Sequence, residues 1–484
     1  MYNSLLYCAK EDYNTYMRSD RDFYETEVDN MAAPKRNIDM TQGNIATQIM
    51  LFAVPLLIGD ILQQLYNTCD SMIVGNFLGK QALASVGSTG TVVNILVGLF
   101  IGISTGATVI ISRRFGAKDK EGLIVAVRTT VWLTFIMGIL FTVVGIAMTP
   151  YVLRIMNTPP DVMEMAIEYL RVYFGGVSGL IMYNMCSGIL RAVGDSKRPL
   201  YILLFSSVLN IVLDLLFIIP LDMGVAGAAH ATNISQFLSA GILLYMLTRT
   251  EDFMPLELQR FTMDKKVLGV IFGVGLPFGL QRSITAFSNT VVISYINKFG
   301  SGATAGWSAQ NKIDHIVFKT LQSMAAAITT FVSQNVGAKK PDRIKKGIYV
   351  TLLLTIGITL LYAATFVTFR RQLIGLFNRD EEVIYYGSIA LMILPTGHII
   401  NSFVQIKSGV MRGYGNGKAP MFISLISYVF IRQIYLHVFW PFFQSFPFVA
   451  SAFPVTWMIC LVIMTLYEKI SPGHKKMLQL HDAE

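Results

Sequence analysis

From Ile45 onward the sequence divides into twelve apolar stretches, centred near residues 57, 98, 136, 178, 208, 236, 282, 320, 358, 397, 428 and 457. A hydrocarbon layer about 30 Å thick takes about 20 residues of helix to cross, and each stretch is of that order. Little polar surface is left over. Of the 484 residues 14% are charged and 53% hydrophobic, where a soluble domain carries about a quarter charged. The expected fold class is therefore all-α and integral to the membrane. A cytosolic enzyme or a secreted disulfide scaffold is excluded, and the scattered Cys8, Cys69, Cys186 and Cys460 read as small apolar fillers. Pro55, Pro277 and Pro395 fall inside stretches, which membrane helices tolerate because neighbours satisfy the freed backbone groups. The second, fourth, eighth and tenth stretches are longer than a bilayer needs and are expected to tilt or project.

Lys and Arg set the orientation. They collect after the even-numbered stretches, as in Arg113, Arg114, Lys118 and Lys120, or Lys339, Lys340, Arg343, Lys345 and Lys346. The odd-numbered side has few, with Arg370, Arg371 and Arg379 as its one dissenting cluster. The positive-inside rule puts the basic loops and both termini in the cytoplasm of a cell whose plasma membrane the chain spans. The net charge of +9 is thus a membrane signature rather than a nucleic-acid one. Residues 1–44 are polar, without a signal-peptide pattern, and are expected to form a disordered cytoplasmic tail. A start at Met31 or Met40 is the other reading.

The sequence also repeats itself at a spacing of 221 residues. SRRFGAKD (112–119) returns as SQNVGAKK (333–340), and SGILRAVGDSKRPLYI (187–202) as SGVMRGYGNGKAPMFI (408–423). Each copy holds six stretches, an even number, so both enter the membrane from the same side. That implies two six-helix lobes related by a parallel pseudo-two-fold axis along the membrane normal. The lobes are placed at 45–248 and 266–468, with a cytoplasmic linker over 249–265 and a cytoplasmic tail over 469–484.

No HExxH, Walker A or dinucleotide-binding pattern occurs, so neither catalysis nor ATP-driven pumping is expected, and no cofactor is. The GGVSG run (175–179) reads as close helix packing. Chemistry then rests on polar side chains at membrane depth, where an aspartate costs about 2.5–3.5 kcal/mol to insert. Asp60 and Asp70 fall in the first stretch. Asn210 and Asp214 lie one helical turn apart in the fifth, and Thr232 in the sixth, after His230 and before Asn233. The plainer alternatives are that Asn210 and Asp214 bond to a neighbouring helix, that Asp70 sits at the interface, and that Asp60 caps a kink after Pro55.

LYNTCDSMIVGNFLG, the paired GAK and SGxxRxxG motifs, and LNIVLDLLFI followed by GVAGAAHAT resemble the multidrug and toxic compound extrusion (MATE) family over about 45–468. The resemblance implies an exporter of cationic or amphipathic small molecules in exchange for Na⁺ or H⁺, its lobes rocking between outward-open and inward-open forms. It also implies an N-lobe cation site at Asp70, Asn210, Asp214 and Thr232. The C-lobe acids of the NorM-like branch fall on Thr285 and Asn401, neither acidic, so the DinF-like N-lobe site is the expected one. No firm pair follows from Arg282, Lys312, Asp314, His315 and Lys319. Arg191 and Arg412 occupy equivalent helix ends and are expected to satisfy C-terminal carbonyls.

Two close carboxylates held out of water favour a shared proton or Na⁺ between them, with Asn210 and Thr232 adding oxygens that suit a hard cation. Gln63, Gln64, Tyr66, Tyr183 and Asn184 are the candidate substrate pocket, although such residues often only pack against neighbouring helices. The expected partners are small amphipathic molecules and the bilayer, with the protein a monomer. The nearest rival is a lipid-linked oligosaccharide flippase, which would show a strongly cationic central cavity. A membrane-embedded enzyme or a scaffold is more remote.

Overall fold

The computed structural model describes residues 38–156, 158–249 and 261–471. The tails expected over 1–44 and 469–484 and the linker over 249–265 therefore fall mostly outside the described residues. The first lobe comprises α1 (Ile45–Phe77), α2 (Gly79–Gly116), α3 (Lys120–Ile155), α4 (Pro160–Gly175), α5 (Val177–Ala192), α6 (Lys197–Ile218) and α7 (Gly224–Thr248). The second comprises α8 (Lys265–Ile296), α9 (Ser301–Gly337), α10 (Pro341–Thr368), the short α11 (Arg370–Gly375), α12 (Glu381–Gly413), α13 (Lys418–Leu425), α14 (Arg432–Phe439) and α15 (Phe446–Ile470). A π-helical turn, Ile426–Ile431, joins α13 to α14 in one span. Among the described residues, ten spans are long and apolar enough to cross a membrane on that measure alone; α7 and the α4–α5 pair complete the twelve.

The fourth span departs from expectation. It is two helices rather than one, broken at Gly176. A Cβ there would sit 2.0 Å from the Asn233 side chain, whose Nδ2 donates to Val172 O (2.6 Å) and so satisfies a carbonyl next to the break. The GGVSG run does pack closely, with Gly179 against Phe237. The same glycines also end the helix.

The two lobes share equivalent bonds between their second helices and their fourth spans. Thr108 Oγ1 donates to Gly188 O and Ser112 Oγ to Ala192 O, at 3.0 and 2.9 Å. Thr329 Oγ1 donates to Gly409 O and Ser333 Oγ to Gly413 O, both at 3.0 Å. Lys118 and Lys339 share a left-handed backbone conformation, φ 56° and 54°, uncommon outside glycine. In each lobe these hydroxyls staple the second helix to the fourth span (α5 or α12).

Between the lobes, α2 lies against both α8 and α9, and α9 also meets α1. Twelve crossings leave the start of α1 and the end of α15 on one side, the terminal side. There Gly116 and Gly337 bring α2 and α9 together: a Cβ on either would stand 1.9 Å from a carbonyl of the other helix, Gln334 O or Arg113 O. Gly102 and Gly106 similarly receive α8 at Gly275 and Gly279, backbone on backbone. Gln334 Nε2 reaches across to Ala192 O (2.9 Å) and Arg113 Nη2 to Tyr414 O (3.1 Å).

The residues just before α1 join this seal. Met40 is fully buried; its N–H donates to Gln334 Oε1, and its carbonyl accepts from Asn335 Nδ2 and Arg343 Nε at 3.0–3.1 Å. The end of the expected loose tail is thus a fixed part of the structure. Among the described residues, every cross-lobe hydrogen bond and ion pair lies on the terminal side of, or level with, the Asp60–Lys319 pair (3.3 Å) near mid-helix. The polar contacts between the lobes are thus confined to the terminal half of the helices.

Candidate cation site

Asp70, Asn210, Asp214 and Thr232 come from three helices and converge inside the first lobe. On α6, Asn210 and Asp214 lie one turn apart and both are buried, Asp214 completely. The carboxyls of Asp70 on α1 and Asp214 face each other within hydrogen-bonding range. With the Asn210 amide oriented to suit its neighbours, its nitrogen donates to Asp214 Oδ2 (2.8 Å) and its oxygen accepts from the Thr232 N–H (3.0 Å). Asp70 Oδ1 and Asp214 Oδ1 are buried without a partner. A buried polar atom left unpaired costs about 1–3 kcal/mol, so two such oxygens in one place mark a position for a proton or a cation.

Three tyrosines complete the chamber. Tyr66, one turn before Asp70, shares a hydrogen bond with Thr232 Oγ1 (3.3 Å). Tyr169 and Tyr173 on α4 stack at 6.2 Å between ring centroids, and Tyr169 lies within electrostatic reach of both carboxylates. Tyr66 thus stands beside the acids while also sharing a crevice with Gln63. Tyr169 and Tyr173 carried no signal in the sequence beyond their one-turn spacing on the fourth span. Of the neighbours of Thr232, Asn233 is occupied by the break in the fourth span.

The expected substrate residues scatter. Gln63 lines a narrow crevice with Tyr66, Ser206 and Asn210, and Gln64 is exposed. Asn184 Nδ2 donates to Leu180 O of its own helix (2.9 Å), a structural use. Tyr183 lies near Arg191 and Asp60. Asp60 caps no kink; it pairs across the lobes with Lys319.

The second lobe has buried polar groups that sequence reasoning did not assemble. His398 Nε2 and Asp314 Oδ2 are 2.8 Å apart, and Asn401 Nδ2 approaches His398 Nδ1 at 3.3 Å. His398 stacks on Trp457, 4.7 Å between centroids. Arg432 is 1% exposed, with Nη1 on Asn289 Oδ1 (2.8 Å) and Nη2 on Thr456 Oγ1 (3.1 Å). Its hydrogen-bond partners are thus neutral. Arg191 and Arg412 make no side-chain hydrogen bond to a helix-end carbonyl among the described residues; Arg412 instead covers the Phe278 ring at 4.3 Å.

The MatE family model matches the chain twice, over residues 55–216 and 277–436. The chain belongs to the MATE family. The double match is the duplication seen again, one copy in each lobe of this MATE protein. Among relatives, it is 32% identical over 386 residues to "Probable multidrug resistance protein YoeA" of Bacillus subtilis, covering 78% of this chain and 83% of that one. It is 29% identical over 403 residues to "Probable multidrug resistance protein YpnP" of the same organism, covering 83% and 90%. Among solved structures it resembles "Crystal structure of MATE in complex with MaL6", with a TM-score of 0.83 and 25% identity, covering 93% of this chain and all of that one. The all-helical, two-lobed membrane fold read from the sequence is the fold of that family.

Proposed function

We propose that this MATE protein is a secondary active multidrug exporter that releases amphipathic compounds in exchange for Na⁺ or H⁺. The observation that carries the reading is the buried meeting of Asp70 and Asp214, each with an unpartnered oxygen, inside one of two duplicated lobes. The names of its relatives as multidrug resistance proteins support the substrate side.

The chemistry follows from the site. Two facing carboxylates repel when both are ionised, and a proton or Na⁺ between them relieves that repulsion. Asn210, Thr232 and Tyr66 supply neutral oxygens and hold the geometry. Cation entry from the open side draws α1, α6 and α7 together. That changes how α1 meets α9 at Asp60–Lys319, and substrate binding changes the same contact from the cleft. Coupling requires only that ion and substrate favour different lobe arrangements. One elementary charge crossing 100 mV yields about 2.3 kcal/mol, enough for roughly a fifty-fold gradient of a neutral substrate. The basic terminal side is the cytoplasmic one on this reading, and the seal there is read as that of an outward-facing form.

The test is export from proteoliposomes under an imposed Na⁺ or pH gradient, with Asp214→Asn and Asp70→Asn beside the parent. Both variants are expected to lose gradient-driven export while folding normally. Undiminished gradient-driven export by Asp214→Asn removes the pair from coupling.

A further inference from the structure

Around the Asp60–Lys319 contact three cations face one carboxylate, and a fourth lies behind them. Lys319 of α9 pairs with Asp60 of α1 at 3.3 Å. Arg282 of α8 and Arg191 of α5 both lie within electrostatic reach of the same Asp60. Arg282 Nη1 otherwise has only Gln322 Oε1, at 3.5 Å. Arg412 of α12 stands close enough to Arg282 to repel it, and both guanidiniums reach the Phe278 ring, at 4.3 and 5.9 Å. Arg412 is 4% exposed and its Nε has no partner. The other buried acids are committed elsewhere, Asp314 to His398 and the Asp70–Asp214 pair to the N-lobe interior.

Buried charges are normally balanced by opposite charges, and like charges in one low-dielectric space repel strongly. This cluster is short of negative charge, and beyond it no hydrogen bond or ion pair joins the lobes among the described residues. On the Asp60 face of α1, one and two turns further along, stand Gln63, Gln64 and Asn67. We propose that this basic cluster binds an anionic group of the exported compound, a carboxylate or phosphate. Arg282 and Lys319 hold that group directly, Arg191 and Arg412 supply field from behind, and Asp60 is the internal anion that the group displaces from Lys319. The inference rests on the export reading and narrows its substrate class from amphipathic compounds at large to amphipathic anions. A free amphiphile and an anionic lipid share that chemistry.

The experiment compares two dansyl probes of equal chain length in phosphatidylcholine proteoliposomes, dansyl undecanoic acid and its trimethylammonium counterpart. A third arm follows transbilayer movement of fluorescent (NBD) phosphatidic acid. The parent is expected to move an anion, free or lipid-borne, at least about tenfold faster than the cation. Arg282→Gln and Lys319→Gln are expected to erase that preference, and Arg282→Lys to keep most of it. Movement of the soluble anion alone assigns the cluster to free amphiphiles, and movement of the phosphatidic acid alone to lipid headgroups; either supports the proposal. Export of the cation in preference to both anions overturns it while leaving the export reading intact. Movement of none of the three under any gradient overturns both. The head-charge preference of the parent needs no variant, so misfolded substitutions do not obscure the result.

Discussion

The glycine contact between α2 and α8 lends itself to a quantitative test. A Cβ on Gly102 would stand 2.5 Å from Gly275 O and Gly279 N, and one on Gly106 would stand 2.2 Å from Ile271 O. Ordinary contact begins near 3.4 Å, so α8 has to retreat by about 1 Å for either substitution, a large step on the scale of van der Waals contacts. The obstacles are backbone atoms, which no rotamer change relieves. Overpacking of this kind costs about 1–3 kcal/mol, and rigid obstacles put Gly102→Val at the upper end. The penalty falls only on the arrangement in which the terminal side is closed, because parting the lobes there removes it. A shift of about 3 kcal/mol changes the ratio of the two forms by more than about a hundredfold.

Spin labels at Lys120 and Lys345, exposed on the terminal side of opposite lobes, report that ratio by pulsed electron–electron double resonance. Gly102→Val is expected to move the population to longer distances and to slow export. Gly98→Ala is the control: its Cβ meets only Ser283 Oγ at 3.7 Å and Arg282 Cβ at 3.8 Å, so the parent distribution is expected. An unchanged distribution in Gly102→Val, in protein that is folded and exports normally, refutes the claim that this seam closes the terminal side.

His398→Ala strips Asp314 Oδ2 of its donor inside the second lobe and is expected to lower stability by about 2–3 kcal/mol, read as a fall in detergent-solubilised Tm. Arg343→Ala removes donors to Met40 O, Gln42 O and Gln48 Oε1; hydrogen exchange at Met40 and Thr41 is expected to quicken by about tenfold, with exchange in the α6 core unchanged. Gly176→Leu drives a side chain into Asn233 and is expected to abolish expression of folded protein, whereas Gly175→Ala, which meets nothing within 4 Å, is expected to be tolerated. Tyr66→Phe leaves Thr232 Oγ1 without its hydroxyl neighbour and is expected to weaken the apparent affinity for the coupling cation by about two- to fivefold, measured from the ion dependence of export.

Spans, repeat and lobe pairing were legible because each depends on local pattern: apolar length sets a span, and an offset of 221 residues sets the pairing. The meeting of Asp70 with Asp214 was legible only through family resemblance, since no spacing rule links α1 to α6. The Asp314–His398 pair was missed for that reason: its members are 84 residues apart, on helices whose facing sides no periodicity specifies. Asp60 misled because its nearest sequence feature, Pro55, invited a local explanation, while its partner lies in the other lobe. The break at Gly176 was hidden within an apolar run long enough for one helix. Only the neighbouring Asn233, placed by α7, decides where that run stops.

The repeat also separates what the frame requires from what each lobe does. Positions kept in both copies are those that hold helices together: Thr108 with Thr329, Ser112 with Ser333, Gly116 with Gly337 and Gly194 with Gly415. The polar groups in the lobe interiors are not kept. Asp214 falls on Tyr435 and Asp70 on the Val291–Val292 pair, while Asp314 and His398 fall back on Val93 and Val177. In the C-lobe the helices corresponding to α1, α6 and α7 enclose Arg432 with Asn289 and Thr456. The N-lobe chamber thus has two acids with an exchangeable deficit of positive charge, and its counterpart has a cation covalently in place. On the proposed export reading, a symmetric frame with chambers of opposite polarity responds to a small cation on one side only. Ion binding then tilts one lobe against the other instead of tightening both.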